Sequence, residues 1–308
     1  RGAHGQPDRH RACADLRIPM VADAHAEALG KFGGRCLRAI LEHDHELFAA
    51  PADHRVAVAH RLAQDARDLR AAQRLRYEVF VGEMGSDGPL VDHAARLECD
   101  EFDAICDHLL LIDRRKDAAQ LSDVVGVYRL LPGDRLAPGQ RFYSESEYDL
   151  TALRGSGRRL LELGRSCVHR DYRGGSAMML MWNRLADYVL EAGVELMFGT
   201  ASFPGTDVAR LAQPLAYLWQ NHLAPENPRA VARPEHRAEM DVLPPGAIDR
   251  RAAMQATPAL IKAYLRLGGF VGEGVYVDHA FNTTDVCLVM DTVRMSERHR
   301  GFYTKGRA

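Results

Sequence analysis

The sequence contains 308 residues, of which 46% are hydrophobic and 27% charged, as expected of a globular protein with one large or two modest domains. Its 40 basic and 42 acidic residues give a formal charge of -2, which argues against nucleic acid or an acidic membrane as the main partner. The 6 cysteines include no CxxC pair, and no apolar run reaches the roughly 18 residues of a membrane helix. We expect a reducing, cytoplasmic setting, no metal site, and membrane contact that is at most peripheral.

The N-terminal residues differ in composition from the rest of the chain. They are rich in Arg, His, Ala and Gly, begin with Arg1 rather than Met, and show little periodicity. This composition predicts a disordered or non-native extension over residues 1–52. The remainder predicts a single domain over residues 53–300, with a Pro-rich insertion at about 224–250 and a tail over residues 301–308.

Hydrophobic periodicity predicts strands and helices from residue 55 onward. Apolar runs of strand length lie at residues 55–62, 107–113, 123–131, 160–168, 194–199, 274–280 and 284–290. Helical spacing of apolar residues predicts helices at 65–80, 177–193, 207–222 and 258–267. The second and third strands should form an antiparallel pair, and a normal crossover makes the strand at 194–199 parallel to the one before it. This order predicts an α+β (mixed α/β) fold, with a mixed central sheet flanked by helices.

The stretch from residue 160 to residue 177 carries the strongest functional signal. Its strand is apolar except for Glu162 and Arg165, and buried charges are costly unless they are paired or used. Simple alternation places these two side chains on opposite faces, so their cooperation requires a β-bulge, which we expect near Gly164. The following helix directs free amides toward the end of the strand, as suits a phosphate or an oxyanion. The stretch therefore predicts a site for an acyl or phosphoryl carrier.

Several motifs link this chain to known acyltransferases. The order of elements resembles the GNAT (N-acyltransferase) fold, in which a bulged fourth strand and the next helix hold a thioester donor. Arg76, Phe80, the segment DEFD at 100–103, Arg129 and LELGR at 161–165 resemble the acyl-homoserine-lactone synthases. A fuller set is similar to the bacterial L-ornithine N-alpha-acyltransferases: LRYEVF (75–80), FYSESE (142–147), LELGRSCVH (161–169), GTASFPGTD (199–207), LIKAYLRLG (260–268) and FNTTDV (281–286). The resemblance runs from roughly residue 60 to residue 300.

The resemblance implies a specific reaction. The enzyme would transfer a 3-hydroxyacyl group from acyl carrier protein to the α-amine of L-ornithine, giving lyso-ornithine lipid, the first step of ornithine lipid biosynthesis. No cofactor beyond the acyl-phosphopantetheine of the donor is implied, and peripheral contact with the inner face of the cytoplasmic membrane would arise through the lipid product. Three alternatives stay open: an acyl-homoserine-lactone-type synthase that uses S-adenosylmethionine, an N-acyltransferase for another amino acid such as glutamine, and a non-catalytic fold that binds the carrier protein or a membrane.

The loop after the strand departs from the usual GNAT pattern of Arg or Gln, two residues, Gly, one residue, then Gly or Ala. In the run RGGSAM at 173–178, Ser176 and Met178 occupy the two later small positions. A bulky Met178 leaves less room for the backbone to approach the diphosphate of coenzyme A, which favours a carrier protein with a single phosphodiester. Two arginines could meet that phosphate or acidic residues of the carrier. The predicted donor-binding residues are Cys167, Val168, Arg170, Arg173, Gly174, Gly175 and Ser176.

Attack of an amine on a thioester requires a base that takes the proton of the amine. Glu162 is the first prediction for this base, acting directly or through water; the alternatives are a structural ion pair with an arginine, and Glu145 as the base. Arg165 either fixes Glu162 or binds the acceptor carboxylate, which a bidentate guanidinium suits. Tyr217 or Tyr264 would protonate the leaving thiolate.

The resemblance to the lactone synthases implies an ion network that lines the acceptor pocket, with a solvated helix face and a plain acidic loop as the alternative. The predicted substrate-binding residues are Arg76, Phe80, Asp100, Asp103, Arg129 and Ser144. Core packing is the alternative for Phe80. His108 and Asp113 have the H-x4-D spacing of glycerolipid acyltransferases, but their opposite parity on an apolar strand argues against that use. Cys167 as a nucleophile competes with its role as a small core residue, which is commoner.

Overall fold

The computed structural model describes residues 58–173 and 177–294, and every structural statement below refers to these two ranges. The predicted extension at 1–52, the tail at 301–308 and the loop residues Gly174, Gly175 and Ser176 lie outside them. Within the described ranges, no helix combines the length and the hydropathy needed to cross a bilayer.

A mixed β-sheet forms the centre of the described domain. The strands of this sheet and of a separate two-stranded sheet are β1 (Val58–Leu62), β2 (Asp107–Asp113), β3 (Val124–Pro132), β4 (Tyr148–Asp149), β5 (Leu160–Val168), β6 (Leu196–Pro204), β7 (Val231–Ala232), β8 (Arg237–Ala238), β9 (Phe270–Val271), β10 (Val275–Asp278) and β11 (Thr283–Asp291). The main sheet has the order β1-β2-β3-β5-β6-β11-β10-β8, with β9 paired to β11, while β4 pairs with β7. β5 and β6 run parallel and β2 and β3 antiparallel, as the sequence predicts.

Six helices surround the sheet in the part of the chain that the structure describes. They are α1 (Ala66–Arg76), α2 (Thr151–Arg154), α3 (Ala177–Glu191), α4 (Ala212–His222), α5 (Arg250–Ala256) and α6 (Ala259–Arg266). The Asp65 carboxylate accepts a hydrogen bond of 2.8 Å from the backbone N–H of Asp68, which fixes the start of α1. α1 continues as a π-helical turn over Tyr77–Glu83, so the predicted helix at 65–80 is confirmed. Such turns occur often at functional sites.

The two faces of the sheet are covered by different helices. Leu110 of β2 packs in the cluster that contains Leu75 of α1. The neighbouring Leu109 and Leu111 belong instead to the cluster that contains Leu185 of α3. Because alternate residues of β2 meet apolar partners on both sides, the strand needs the uninterrupted apolar run seen in its sequence.

β5 carries the predicted bulge. Its pairing with β3 shifts register so that two residues, Arg165 and Ser166, oppose the single residue Tyr128. Arg165 has a φ of 50°, in the left-handed region, which costs a residue other than glycine roughly 1 kcal/mol or more. The bulge therefore begins one residue beyond Gly164, and its unfavourable conformation falls on the arginine.

The ladder between β5 and β6 ends well before the strands do. Its last pair is Glu162 with Phe198, although the strands continue to Val168 and Pro204. At the branch point the two backbones are so close that a Cβ added to Gly199 would lie 2.1 Å from the carbonyl oxygen of the β5 residue opposite. Beyond it the strands separate and leave an open cleft between two unpaired edges.

Candidate active site

A cavity of about 1090 Å³ lies where β5 and β6 separate. Part of its wall is apolar and comes from α3 and α6, including Met178, Trp182 and Leu260. Another part is charged and includes Glu162 and Arg165, so the bulge does bring these two side chains to one cavity. A cavity of this size and make-up suits a substrate that has both a long apolar part and several charges.

The predicted site residues divide into two groups by their position relative to this cavity. Those that line it are Phe80, Arg129, Ser144, Glu162, Arg165, Cys167, Val168 and Arg173. Those described elsewhere in the structure are Arg76, Asp100, Asp103, Glu145 and Arg170. Phe80 thus faces the cavity while its ring also packs beside the α1 cluster.

A network of three arginines and three acids lies behind the cavity. Arg76 is fully buried; its Nε lies 2.5 Å from Glu98 Oε2, and its Nη1 lies 2.6 Å from Asp103 Oδ1. Arg129 Nη1 contacts Asp100 Oδ2 at 2.5 Å and Asp103 Oδ1 at 3.3 Å. The predicted ion network therefore exists, and the alternative of a solvated helix face for Arg76 is wrong. The prediction that the network lines the pocket holds for Arg129 but is wrong for Arg76, Asp100 and Asp103, which lie behind the wall.

Arg165 joins the network to the cavity wall. Its Nε lies 3.1 Å from Glu98 Oε1, and its Nη2 lies 3.1 Å from Asp100 Oδ2. Its guanidinium carbon stands 4.7 Å from the ring centroid of Tyr143. These contacts differ from the predicted pairing with Glu162. The network fixes Arg165 against the acidic loop and so holds the strained bulge in place.

The charge balance of the network appears in the pKa of Asp103. Burial alone would raise this pKa, but the charge and hydrogen bonds of Arg76 outweigh burial and hold it well below its usual range. Asp103 therefore stays ionised near neutral pH. The network acts as a rigid, internally neutral support.

Glu162 is buried and contacts backbone rather than an arginine. Its Oε2 accepts a hydrogen bond of 2.9 Å from the N–H of Tyr143, and its Oε1 accepts one of 2.7 Å from the N–H of Ser144. Burial raises the pKa of Glu162, although the bonds from Ser144 and Tyr143 and the charge of Arg129 oppose the shift. A cavity-lining carboxylate with a raised pKa is suited to accept a proton.

Glu145, the other predicted base, has a different place. Its Oε2 accepts a hydrogen bond of 2.7 Å from the N–H of Phe142, and both of its oxygens lie 3.0 Å from Nη1 of Arg154. It thereby fixes the turn that presents two amides to Glu162. Within the described residues it is not part of the cavity wall.

Three further carboxylates converge on the cavity, and the sequence did not single them out. Glu147 follows the turn that contacts Glu162, Asp278 ends β10, and Asp285 lies in β11; one carboxylate oxygen from each lies within 4.8 Å of the others. Burial and the charges of Asp285 and Asp278 raise the pKa of Glu147 well above its usual range. Burial likewise raises the pKa of Asp285 to about 6. This cluster, called the carboxylate trio below, could hold a cation.

The donor side of the cavity lies at the end of β5. Arg173 Nε donates a hydrogen bond of 2.8 Å to the carbonyl oxygen of Val168, and its Nη1 lies 2.8 Å from Glu83 Oε2. The exposed Arg170 has its Nε 3.5 Å from Oε1 of the same Glu83. Burial raises the pKa of the Cys167 thiol to about 12, which argues against a nucleophilic thiolate.

Comparison with known proteins identifies the family. A profile described as "Acetyltransferase (GNAT) domain" matches residues 75–183. An L-ornithine N(alpha)-acyltransferase of Rhodobacter capsulatus is 62% identical over 257 residues, which are 83% of this chain and 97% of that protein. This chain belongs to the L-ornithine N(alpha)-acyltransferase family. Another member, from Agrobacterium fabrum, is 41% identical over 245 residues, 79% of this chain and 84% of its own length.

The family and the profile confirm that the chain is an acyltransferase with a GNAT domain, as the resemblance implied. Among solved structures, the acyl-homoserine-lactone (AHL) synthase LasI has 15% sequence identity and a TM-score of 0.40, covering 76% of this chain and 90% of its own.

Tyr128 is a further cavity residue of the acyltransferase that was not predicted from the sequence. Tyr264 OH and Tyr128 OH are 2.5 Å apart, and it is Tyr128 that lines the cavity. Burial raises the pKa of Tyr128 to about 12, so its hydroxyl is protonated near neutral pH. Tyr128 lies opposite the bulge of β5, a position that only the pairing of β3 with β5 reveals.

His108 and Asp113 do not act together, as their positions on opposite faces of the strand predict. His108 Nε2 lies 3.0 Å from the backbone oxygen of Asp103, while Asp113 Oδ2 lies 2.7 Å from Arg115 Nη2. The two side chains have separate partners and do not form a catalytic pair.

Proposed function

We propose that this acyltransferase moves a 3-hydroxyacyl group from acyl carrier protein to the α-amine of L-ornithine, giving lyso-ornithine lipid, the first step of ornithine lipid biosynthesis. The observation that carries the proposal is a cavity lined by Glu162 whose wall has a charged and an apolar part, in a member of a family named for ornithine acylation. The charged walls suit an amino acid and the apolar wall suits an acyl chain.

The chemistry begins with the acceptor. The α-ammonium group of a free amino acid is largely protonated near neutral pH, so Glu162 would take one of its protons, directly or through water. The neutral amine then attacks the thioester carbonyl carbon, and N–H groups on the open edge of β5 would stabilise the oxyanion. The C–N bond forms and the C–S bond breaks. Of the two protons that leave the amine nitrogen, one ends on the thiol and one reaches solvent.

Two residues complete the proposed reaction. Tyr128, supported by Tyr264, would donate the proton to the leaving thiolate, since its hydroxyl lines the cavity and is protonated near neutral pH. Arg165 is held by Glu98 and Asp100 at the cavity wall, where its remaining donors would orient the acceptor carboxylate.

The donor would be a carrier protein. Arg170 and Arg173 share Glu83 at the end of β5 and would meet the single phosphodiester of phosphopantetheine or acidic residues of acyl carrier protein. Met178 lines the cavity at the position where the usual loop has a small residue. The lipid product would bring the enzyme into peripheral contact with the inner face of the cytoplasmic membrane.

The test uses the purified protein with two donors, 3-hydroxyacyl carrier protein and the matching acyl-coenzyme A. We expect acyl-ornithine from the first donor, at a kcat/KM at least about tenfold above that with the second. Mass spectrometry of the product separates acyl-ornithine from an acyl-homoserine lactone or an acyl-glutamine. Turnover of acyl-coenzyme A with another amine, without acyl-ornithine from the carrier protein, would disprove the proposal.

A further inference from the structure

The carboxylate trio has more negative charge than its surroundings balance. Glu147 and Asp285 are 3% and 5% exposed. Glu147 Oε2 and Asp285 Oδ1 are buried and have no hydrogen-bond partner among the described residues. Buried carboxylate oxygens without a donor are costly and uncommon, so an unpaired group that faces a cavity indicates a ligand.

The arginine whose charge acts on Glu147 already has other acidic partners. Arg165 influences Glu147 electrostatically, but its guanidinium lies 3.1 Å from Glu98 and 3.1 Å from Asp100. Asp278 Oδ1 accepts hydrogen bonds of 2.8 and 2.9 Å from the backbone N–H groups of Ala280 and Phe281, which fix the side chain without adding charge. A mobile cation is therefore the missing partner.

We infer that the carboxylate trio binds the side-chain ammonium of the acceptor amino acid, while Glu162 faces its α-amine. This inference rests on the proposed function, because it assigns the second amine of a diamino acid to a place in the same cavity. Glu147 connects the two positions, since it follows directly the turn whose amides hold Glu162.

The geometry of the trio matches an ammonium group. An alkylammonium has three N–H donors, one for each carboxylate. Three oxygens at about 2.8 Å from one nitrogen, in tetrahedral directions, stand about 4.6 Å apart. The limit of 4.8 Å on the three carboxylate oxygens fits this arrangement. The trio would thus select diamino acids and reject acceptors whose side chains end in a methyl group.

The test compares L-ornithine with L-norvaline, which has the same carbon chain and lacks the terminal amine. With 3-hydroxyacyl carrier protein as donor, we expect the wild type to favour ornithine in kcat/KM by at least about 100-fold. In Asp285→Asn and Asp278→Asn this preference should fall at least about tenfold, through a higher KM for ornithine. The matched control is Glu239→Gln, a carboxylate that is 62% exposed and paired with Arg237 outside the cavity.

The outcomes separate this inference from the proposed function. Equal use of ornithine and norvaline by the wild type would overturn the inference and leave the function standing. Acylation of lysine or 2,4-diaminobutyrate but not ornithine would overturn the function and support the inference. Equal losses with both acceptors in the variants would show a structural role and overturn the inference. Activity that is lost on chelation and restored by Mg²⁺ would show that the trio binds a metal ion and also overturn it.

Discussion

Glu162 and Arg165 are charged residues of the same apolar strand, yet they have different tasks. Arg165 is held by two acids of the network, whereas Glu162 accepts hydrogen bonds only from backbone amides. The two amides do not neutralise the charge of Glu162, and no cation among the described residues contacts this carboxylate directly. The effect of burial is therefore larger than the opposing effects, and the pKa of Glu162 rises. The carboxylate that is not paired is the one suited to exchange a proton.

Removing that carboxylate gives the first prediction. Glu162→Gln should lower kcat by more than about tenfold, because a neutral amide cannot take the proton of the amine. In the wild type, kcat should rise with pH through an apparent pKa above the usual carboxyl range, and the variant should lose this dependence. Glu147, Arg129 and the two amides also act on Glu162, so the apparent value belongs to the group. Unchanged turnover in Glu162→Gln, with loss in Glu145→Gln, would move the role to Glu145.

The carboxylate trio gives a second prediction at this scale. The folded-state pKa of Asp285 is raised from 3.8 to about 6, so this residue favours folding when protonated, below pH 3.8, and loses that contribution as the pH rises through 6. Asp285→Asn stays neutral and should therefore raise the free energy of unfolding at pH 7.5 by about 1 to 3 kcal/mol.

Urea unfolding at pH 4 and at pH 7.5 checks this prediction. The two proteins should be equally stable at pH 4, and the exposed Glu239→Gln should differ from the wild type by less than about 0.5 kcal/mol at either pH. A variant that is less stable than the wild type at pH 7.5 would contradict the account of a buried, unbalanced carboxylate.

The two charged residues that the sequence of β5 points to share one property: their cost is visible locally. Glu162 and Arg165 interrupt an apolar strand, where a charged side chain is costly unless it is paired or used. The trio could not be found in this way, because Asp278 and Asp285 lie close to the ends of predicted strands and Glu147 lies in a polar segment, where charged residues are common. Their cost arises only when β10 and β11 pair beside the turn that precedes Glu147.

At the level of elements, the site depends on two irregularities of one strand. The bulge at Arg165 turns the end of β5, and the early end of the β5–β6 ladder opens the cavity. The glycine at the branch point, Gly199, permits the close approach of the two strands just before they part. The cavity therefore opens at the point where the hydrogen-bonded ladder between β5 and β6 ends.

Substitution at the branch point tests this view. A Cβ in Gly199→Ala would lie 2.1 Å from the carbonyl oxygen of Leu163, so the strands must move apart. We expect a loss of about 1 to 3 kcal/mol in the free energy of unfolding, and a lower kcat through the displaced Glu162. The control is Gly246→Ala, where an added Cβ meets no atom within 4 Å. Equal stability of the two variants would rule out the proposed close packing.

The long elements were predictable and the short ones were not. Strands β2, β3 and β11 contain continuous apolar runs, as a strand buried on both faces requires. The two-residue strands β4, β7, β8 and β9 follow from pairing with distant segments, and no local pattern specifies them. The bulge was predicted because simple alternation would place Glu162 and Arg165 on opposite faces of the strand. Its position depends on which residue the ion network can hold in the left-handed region.

At the scale of the molecule, the ion network joins segments that are far apart in sequence. It connects α1 through Arg76, the acidic loop through Asp103, β3 through Arg129 and β5 through Arg165. These charges are buried or half-buried. Separating two of the segments would therefore leave a charge without its partner in an interior that solvates it poorly. The network therefore contributes to the unique arrangement of helix and sheet.

Breaking the network at its centre should be severe. Arg76→Met would leave Glu98 and Asp103 buried without their main partner, and we expect a loss of about 3 to 5 kcal/mol in the free energy of unfolding near pH 7. The control is Arg141→Met, which breaks an exposed pair with Glu101 and should cost less than about 1 kcal/mol. Urea unfolding of both variants provides the measurement. A loss for Arg76→Met no larger than that of the control would contradict a structural role for the network.

The carboxylate trio also bears on how long each molecule survives in a cell. A ligand that binds only the folded state adds stability by mass action, so acceptor-free enzyme unfolds more often than occupied enzyme. Cellular proteases remove the unfolded form, and small changes in stability alter protein abundance several-fold. The supply of the diamino acid would then set the amount of its own acylating enzyme. In a pulse-chase experiment, starvation for ornithine should shorten the half-life of the wild type and leave that of Asp285→Asn unchanged.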